Sequence, residues 1–155
     1  APEAKIVWHM TWAYSQDSTH SDFSKYDSNQ TTMYNAIVGA VDSAVMPYVT
    51  SGDIVKVIPS GTAIQNARTS YVGDELDRDG YHLNLTGRIV AAYTWYSILT
   101  DTKLDEMNAF YFADNYIGSK PTKTLTDADR AMILEAVNDA VANPYQVTEF
   151  TTHEG

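Results

Sequence analysis

The chain has 155 residues, which is about the size of one ordinary domain. Hydrophobic residues make up 44% and charged residues 19%, so the composition supports a packed core and differs from that of a disordered protein. The formal net charge of −10 argues against nucleic acid or an anionic membrane surface as a partner, because both attract a basic face. No apolar run approaches the ~20 residues that span a bilayer, and the absence of cysteine excludes disulfides and a cysteine nucleophile.

The first predicted elements are a strand, a long polar loop and a helix. Residues Ala4–Met10 are β-branched and apolar and predict a strand. The loop over Thr11–Gln30 has almost no aliphatic side chain and exceeds the usual connection length, which is more typical of functional loops. Apolar residues at helical spacing then predict a helix over Thr31–Tyr48, and the pattern stops at Pro47 because proline lacks the backbone amide proton.

The same order of elements then repeats. Asp53–Ile58 predicts a second strand, Pro59–Gly61 predicts a turn, and a second long loop extends over Thr62–Tyr81. Strand, loop and helix in this alternation indicate an α/β sheet with crossover helices. Functional groups in such folds lie on the loops that leave the carboxyl ends of strands, and both long loops leave such ends.

Two further helices are predicted towards the end of the chain. Leu85–Leu99 has an apolar face, and either Asn84 or Thr86 is its expected N-cap. Thr126 is the expected N-cap of a helix through Val141, with acidic residues in its first turn that favour the helix dipole. We assign residues 1–118 to the α/β domain and residues 119–155 to a helical extension packed peripherally on it.

The segment with the clearest chemical potential is Asp79-Gly80-Tyr81-His82. An aspartate three residues before a histidine, in a loop before a helix, can fold back onto the imidazole. The carboxylate would then fix the tautomer and stabilise the imidazolium that forms when His82 acts as a base. On spacing alone, an exposed histidine beside an unrelated solvated aspartate is the better interpretation, because the pattern is short.

A resemblance to a known family makes the catalytic interpretation of Asp79 and His82 the better one. The segments IPSGTAIQNARTS and DRDGYHLNLTGRIVAAYTWYSIL resemble the C-terminal half of SGNH (GDSL-type) hydrolases, and nearly the whole chain resembles a bacterial SGNH-like group of unknown function. The resemblance implies that Asp79 orients His82 and that His82 is the general base. It also implies a flavodoxin-like three-layer α/β/α sandwich, of which this chain would be the C-terminal part.

The nucleophile of that family is not found in this chain. The resemblance implies a serine in a G-D-S or G-N-S block, and neither triplet occurs here. The first residue is Ala1 rather than Met, and we expect the N-terminal half of the same protein to supply the serine. Ser60, at the end of a predicted strand, is the internal alternative, but a turn serine bonded to its own backbone is favoured there.

The two long loops also offer binding residues. Trp12 and Tyr14 have flat faces on which sugar rings stack, and Gln65 and Asn66 leave the carboxyl end of the second strand. These four are the predicted substrate-binding residues, with packing of the loops as the alternative. The acidic segment Asp74–Asp79 lacks the ligand spacing of a calcium loop and is interpreted as a solvated turn, so neither a metal nor a cofactor is predicted.

The resemblance, together with the aromatic residues of the loop, implies an SGNH-type serine esterase that removes acyl groups, acetyl foremost, from a carbohydrate. The expected partners are the missing N-terminal half and an acylated carbohydrate, with no nucleic acid and no membrane span. Action on polymeric glycans fits a periplasmic or secreted protein. The alternative is a non-catalytic carbohydrate-binding or surface module that keeps the fold without the reaction.

Overall fold

The structure, a computed structural model, describes residues 3–105 and 125–151. Within these residues a two-stranded parallel sheet is formed by β1 (Ile6–His9) and β2 (Ile54–Ile58). Trp8 of β1 is paired with Val57 of β2, and the register shifts between Ile6 and the next residue. Both strands agree with the sequence prediction. The mixed α/β class is confirmed, while the predicted boundary between residues 118 and 119 lies outside the described residues.

The helical connection between the two strands is longer than predicted. A 3₁₀ helix (Ser21–Tyr26) precedes α1 (Gln30–Ala40), and a π-helical segment (Val41–Val45) leads from α1 into α2 (Met46–Ser51). The prediction that the helical pattern stops at Pro47 was therefore wrong. Proline is tolerated there because it lies in the first turn of α2, where its missing amide proton costs no helical hydrogen bond.

The segment after β2 is also helical, where the sequence predicted a turn and a loop. Helix α3 (Ser60–Arg68) begins directly after Pro59. Gly61 in its first turn reflects close packing, because a Cβ there would lie 1.9 Å from the carbonyl oxygen of Thr11. The glycine thus allows α3 to start against the loop that follows β1, and the sequence pattern was misinterpreted as a turn.

The last two helices match their predictions closely. Helix α4 (Leu85–Thr100) has Asn84 as its N-cap, whose side chain accepts a hydrogen bond from Gly87 N. Helix α5 (Asp127–Ala142) starts with a capping box between Thr126 and Asp129.

Helix α5 is central rather than peripheral. Its buried face packs with α3 and α4 in the larger of two apolar clusters. The smaller cluster joins the loop after β1, the 3₁₀ helix, α1, the π-helical segment and β2.

None of the helices in the described part of the chain is both long and apolar enough to cross a membrane.

Candidate active site

A tight turn carries Asp79 and His82 next to the carboxyl end of β1. The two chain segments that enter and leave it are joined by a hydrogen bond from Arg78 N to His82 O (2.9 Å). At the tip, Gly80 has φ +87°, a conformation that side chains with a Cβ rarely adopt. The backbone of this turn therefore fixes the separation of the aspartate and the histidine.

The carboxylate of Asp79 holds the His82 ring and the turn at once. Asp79 Oδ2 lies 2.7 Å from His82 Nδ1, and Asp79 Oδ1 accepts hydrogen bonds from the backbone amides of His82 (2.8 Å) and Tyr81 (3.3 Å). Desolvation raises the pKa of Asp79, but the hydrogen bonds from His82 and Tyr81 outweigh it and lower the pKa to about 2. The aspartate is thus an anion at neutral pH and fixes the histidine ring through Nδ1.

His82 opens onto a cleft of about 370 Å³ between the turn and α4. Because Asp79 occupies Nδ1, the other ring nitrogen, Nε2, is the one available for proton transfer. The lining residues come from β1, the loop after it, the turn and α4: His9, Trp12, Arg78, His82, Leu83, Arg88, Ala91, Ala92 and Trp95. The arrangement offers an oriented imidazole beside two indole rings.

Trp12 both lines this cleft and holds the turn. Its indole Nε1 donates a hydrogen bond to Tyr81 O at 2.8 Å. Ser15 contributes in the same way, since its backbone N (2.9 Å) and its Oγ (3.1 Å) both donate to Gly80 O. The loop after β1 therefore fixes the turn through the two carbonyl groups between Asp79 and His82.

Tyr14, the other predicted aromatic binding residue, packs behind the turn. Its ring lies 5.7 Å from that of Tyr81, and His20 also contacts Tyr81 at 4.8 Å between ring centroids. Tyr81 in turn lies 4.1 Å from the His82 ring. Burial, followed by the charge of Asp22, raises the pKa of Tyr14. Tyr14 thus contacts the site through Tyr81 and does not line the cleft.

A buried arginine lies beneath the turn. Arg68 Nη2 pairs with Asp77 Oδ2 at 2.7 Å, and Arg68 Nη1 donates to Ala13 O at 3.0 Å. Arg68 Nε lies 2.8 Å from Asp74 Oδ1 without the alignment of a hydrogen bond, so that contact is ionic. Burial raises the pKa of Asp77, and the charge of Arg68 opposes that rise. Arg68 connects α3, the loop after β1 and the segment that leads into the turn.

Gln65 and Asn66 lie on α3 and have internal partners. Gln65 Nε2 donates to Gln30 Oε1 at 3.0 Å. Asn66 is completely buried: its amide donates to Ala136 O and accepts from Thr148 N. The prediction that both line the substrate cleft does not match these positions, because a helix, α3, stands where a turn and a loop were predicted, and it turns Asn66 towards α5.

Ser60 is equally inaccessible. It is fully buried at the start of α3, and its Oγ has no hydrogen-bond partner among the described residues. A nucleophile must reach the substrate, so the geometry gives no support to Ser60 in that role.

The acidic segment Asp74–Asp79 is organised by protein groups. Asp74 accepts hydrogen bonds from Gln16 N and Gln30 Nε2, and Asp77 and Asp79 are paired as described above. Over residues 3–105 and 125–151, three or more His, Cys, Asp or Glu side chains are nowhere grouped so that they could hold a metal ion.

The site contains two residues that the sequence interpretation overlooked. His9 and Trp95 pack edge to face at 5.0 Å between ring centroids, and both line the cleft. Burial lowers the pKa of His9, so this ring is held neutral. Trp95 could have been found from the sequence, because it lies four residues after Ala91 and seven after Arg88 and therefore shares their helix face.

Comparison with known proteins identifies relatives but no activity. Residues 1–128 match the family model described as "Domain of unknown function (DUF4886)". The crystal structure of a DUF4886 family protein from Bacteroides uniformis ATCC 8492 is similar, with a TM-score of 0.76 and 38% sequence identity. The match covers 97% of this chain and 53% of that one, so this chain spans about half the length of that relative. No curated protein matches the chain.

Proposed function

The chain belongs to the DUF4886 family, and we propose that it forms part of an SGNH-type serine esterase that removes acyl groups, acetyl foremost, from a carbohydrate. The observation that carries the proposal is the contact between Asp79 Oδ2 and His82 Nδ1 at 2.7 Å, with the His82 ring lining an open cleft. An anionic orienting carboxylate and an accessible imidazole are the acid and base half of a hydrolytic triad.

In the proposed reaction His82 Nε2 takes the proton of a serine hydroxyl as the serine oxygen bonds to the ester carbonyl carbon. His82 then returns the proton to the departing sugar oxygen, and water releases the acyl group from the serine in a second cycle. Asp79 holds the ring and stabilises the imidazolium in both steps. The serine comes from a part of the polypeptide outside these 155 residues, within a three-layer α/β/α sandwich to which this chain contributes β1, β2 and the helices described above.

The carbohydrate part of the proposal rests on the walls of the cleft. Trp12 and Trp95 place indole rings beside His82, and sugar rings pack their C–H faces on such surfaces. Arg78 and Arg88 add donors for hydroxyl and carbonyl oxygens. A polymeric glycan as substrate would place the enzyme in the periplasm or outside the cell.

The same cleft supports a second candidate function, a carbohydrate-binding module without turnover. Such a module needs the indole rings of Trp12 and Trp95 but not an oriented imidazole. It predicts glycan binding that is unchanged in His82→Ala and no hydrolysis. The pairing of Asp79 with His82 is the feature that favours the enzyme.

Hydrolysis of 4-nitrophenyl acetate and of acetylated xylan tests the proposal. The chain is coexpressed with the part of the Bacteroides uniformis protein that lies outside the match, so that the missing residues are supplied. His82→Ala and Asp79→Asn are each expected to lower kcat by about 10⁴-fold or more, as in other hydrolytic triads. Asp22→Asn, an exposed aspartate paired with Lys25, is the matched control and is expected to keep full activity.

Labelling with a fluorophosphonate identifies the nucleophile in the same sample. The adduct is expected on a serine of the coexpressed segment. An adduct on Ser60, absence of hydrolysis, or unchanged kcat in His82→Ala would each contradict the proposal.

A further inference from the structure

Two arginines share the cleft with His82. Arg78 lies across the turn from His82, because its backbone N donates to His82 O at 2.9 Å. Arg88, in the first turn of α4, donates from its side-chain Nε to Leu83 O at 3.1 Å. Both arginine side chains line the cleft. Arg78 through its main chain and Arg88 through its side chain are thus attached to His82 and to the residue that follows it.

Protein partners use few of the donors of these two guanidinium groups. The hydrogen bond to Leu83 O takes only the Nε of Arg88, and its two Nη groups have no partner among the described residues. Arg78 Nε lies 3.8 Å from Asp79 Oδ2, and both of these side chains are exposed, so solvent screens the contact. Arg68 is the opposite case, since it is buried and fully engaged beneath the turn. Arg78 and Arg88 therefore keep most of their donors for a ligand.

The cleft carries positive charge in an acidic protein. The chain has 20 Asp and Glu residues against 10 Lys and Arg residues. Among the described residues that line the cleft there are two arginines and no carboxylate. A second pocket along the same turn, of about 270 Å³, has the reverse character, because Arg78 is there joined by five acidic residues: Asp17, Asp74, Glu75, Asp77 and Asp79. The turn therefore separates an acidic surface from a basic cleft.

We propose that the cleft binds the carboxylate of an acidic sugar through Arg78 and Arg88, so that the acyl group is removed from a glycan of uronic acid units. A guanidinium group presents its N–H donors in a planar fork that matches the two oxygens of a carboxylate. The indole rings of Trp12 and Trp95 line the same cleft and are placed to pack on the C–H face of that sugar. The esterase part of this inference rests on the proposed function, whereas carboxylate binding is measurable without activity.

The charge of the ligand is expected to decide its affinity. Hydrogen bonds between ionised groups are roughly twice as strong as those between neutral groups. The methyl ester of a uronic acid keeps the sugar ring and the carbonyl oxygen but loses the negative charge. Acetylated polygalacturonate and its methyl ester are therefore matched substrates, with the same sugar and the same acyl group but a different charge.

Binding is tested by isothermal titration calorimetry with trigalacturonate and with its methyl ester, on the chain alone and on the sample coexpressed with the Bacteroides uniformis segment. Trigalacturonate is expected to bind at least tenfold more tightly than the ester. Arg88→Gln is expected to weaken the binding of trigalacturonate at least tenfold, and Arg78→Gln is expected to act in the same direction.

Two further variants separate the charge from a structural role. Arg88→Lys also lacks the Nε that bonds to Leu83 O but keeps the positive charge, so it is expected to retain part of the affinity. Lys25→Gln removes a positive charge outside the cleft and is expected to leave the affinity unchanged.

The substrate preference is measured as acetate release by the coexpressed sample. The value of kcat/KM is expected to be at least tenfold higher on acetylated polygalacturonate than on its methyl ester. Arg88→Gln is expected to reduce that preference to less than threefold. Added salt is expected to reduce the preference as well, because it screens charges that are exposed to solvent.

Three results would overturn the inference: no binding of trigalacturonate to either sample, equal affinity for trigalacturonate and its ester, or an affinity that neither Arg88→Gln nor Arg78→Gln changes. Carboxylate binding that depends on these arginines, in a sample that releases no acetate from any polymer, would support the inference and contradict the proposed function. Release of acetate with equal kcat/KM on both polymers would do the reverse.

Discussion

Two regions of the molecule bury their apolar residues to different degrees. We call helices α3, α4 and α5 the body. We call β1, the 3₁₀ helix, α1 and α2 the flank. In the body, side chains such as Ile133 and Val137 are completely inaccessible, while Leu99 near the end of α4 is 50% exposed. In the flank, Ile6, Trp8 and Tyr48 are each more than 40% exposed along one groove. The body therefore encloses most of a large apolar cluster, while the flank leaves apolar side chains exposed to solvent along one groove. The candidate site lies where the two meet.

The largest expected effect comes from the buried charge that joins the two regions. Arg68→Met leaves the buried Asp77 carboxylate without its partner, and we expect a loss of about 3–5 kcal/mol in the free energy of unfolding. Lys25→Met removes an exposed ion pair of the flank with Asp22 and should leave the urea midpoint nearly unchanged, because solvent screens such pairs. Urea unfolding measures both. Equal midpoints would show that the arginine does not hold the two regions together. Adding Asp77→Leu to Arg68→Met should restore part of the loss.

The same substitution, isoleucine to alanine, can be made in each region to compare its effect on the free energy of unfolding. Ile133→Ala removes fully buried methyl groups from the body and is expected to cost about 2–5 kcal/mol. Ile6→Ala, at the exposed edge of β1, should change stability by no more than about 0.5 kcal/mol. Urea unfolding of the chain alone is the measurement. A similar loss in both variants would mean that the groove is already closed in solution.

The sequence predicted two of the three helices of the body, and in the flank it predicted β1 and the first part of the helical connection. Periodicity and capping residues located α4 and α5, because local signals such as Asn84 and Thr126 coincide with the helix ends. Helix α3 was missed because Gly61 indicates a turn when its packing against the loop after β1 is not known. The π-helical turn before Pro47 was missed because it has no distinctive sequence signal.

Of the candidate site, only the residues that are close together in the sequence were predicted. The short separation of Asp79 and His82 lets one turn bring them together. The spacing alone favoured an unpaired histidine, and the resemblance to SGNH hydrolases carried the prediction of the pair. Arg68 was not predicted as the residue that holds the turn, because its partners are up to 55 residues away in the chain. Asn66 was misplaced because the direction of its side chain depends on where α3 begins. Long-range packing decides such positions, and a single sequence does not report it.

Two aspartates of the site differ in the direction of their pKa shifts, and this predicts how stability depends on pH. Burial raises the pKa of Asp77, whereas the exposed Asp79 has a pKa of about 2, below its ordinary 3.8. Because the folded-state value of Asp79 is lowered, its anion stabilises the fold above pH 3.8, and this contribution is lost as the pH falls through about 2. Asp79→Asn should therefore lose less stability than the unmodified chain between pH 4 and pH 2, as measured by urea midpoints across that range. His82→Ala removes the ring contact but keeps the bonds from the backbone amides, so its loss should be intermediate. Identical pH dependence in all three would show that the carboxylate does not hold the turn, and the proposed orientation of His82 would lose its physical basis.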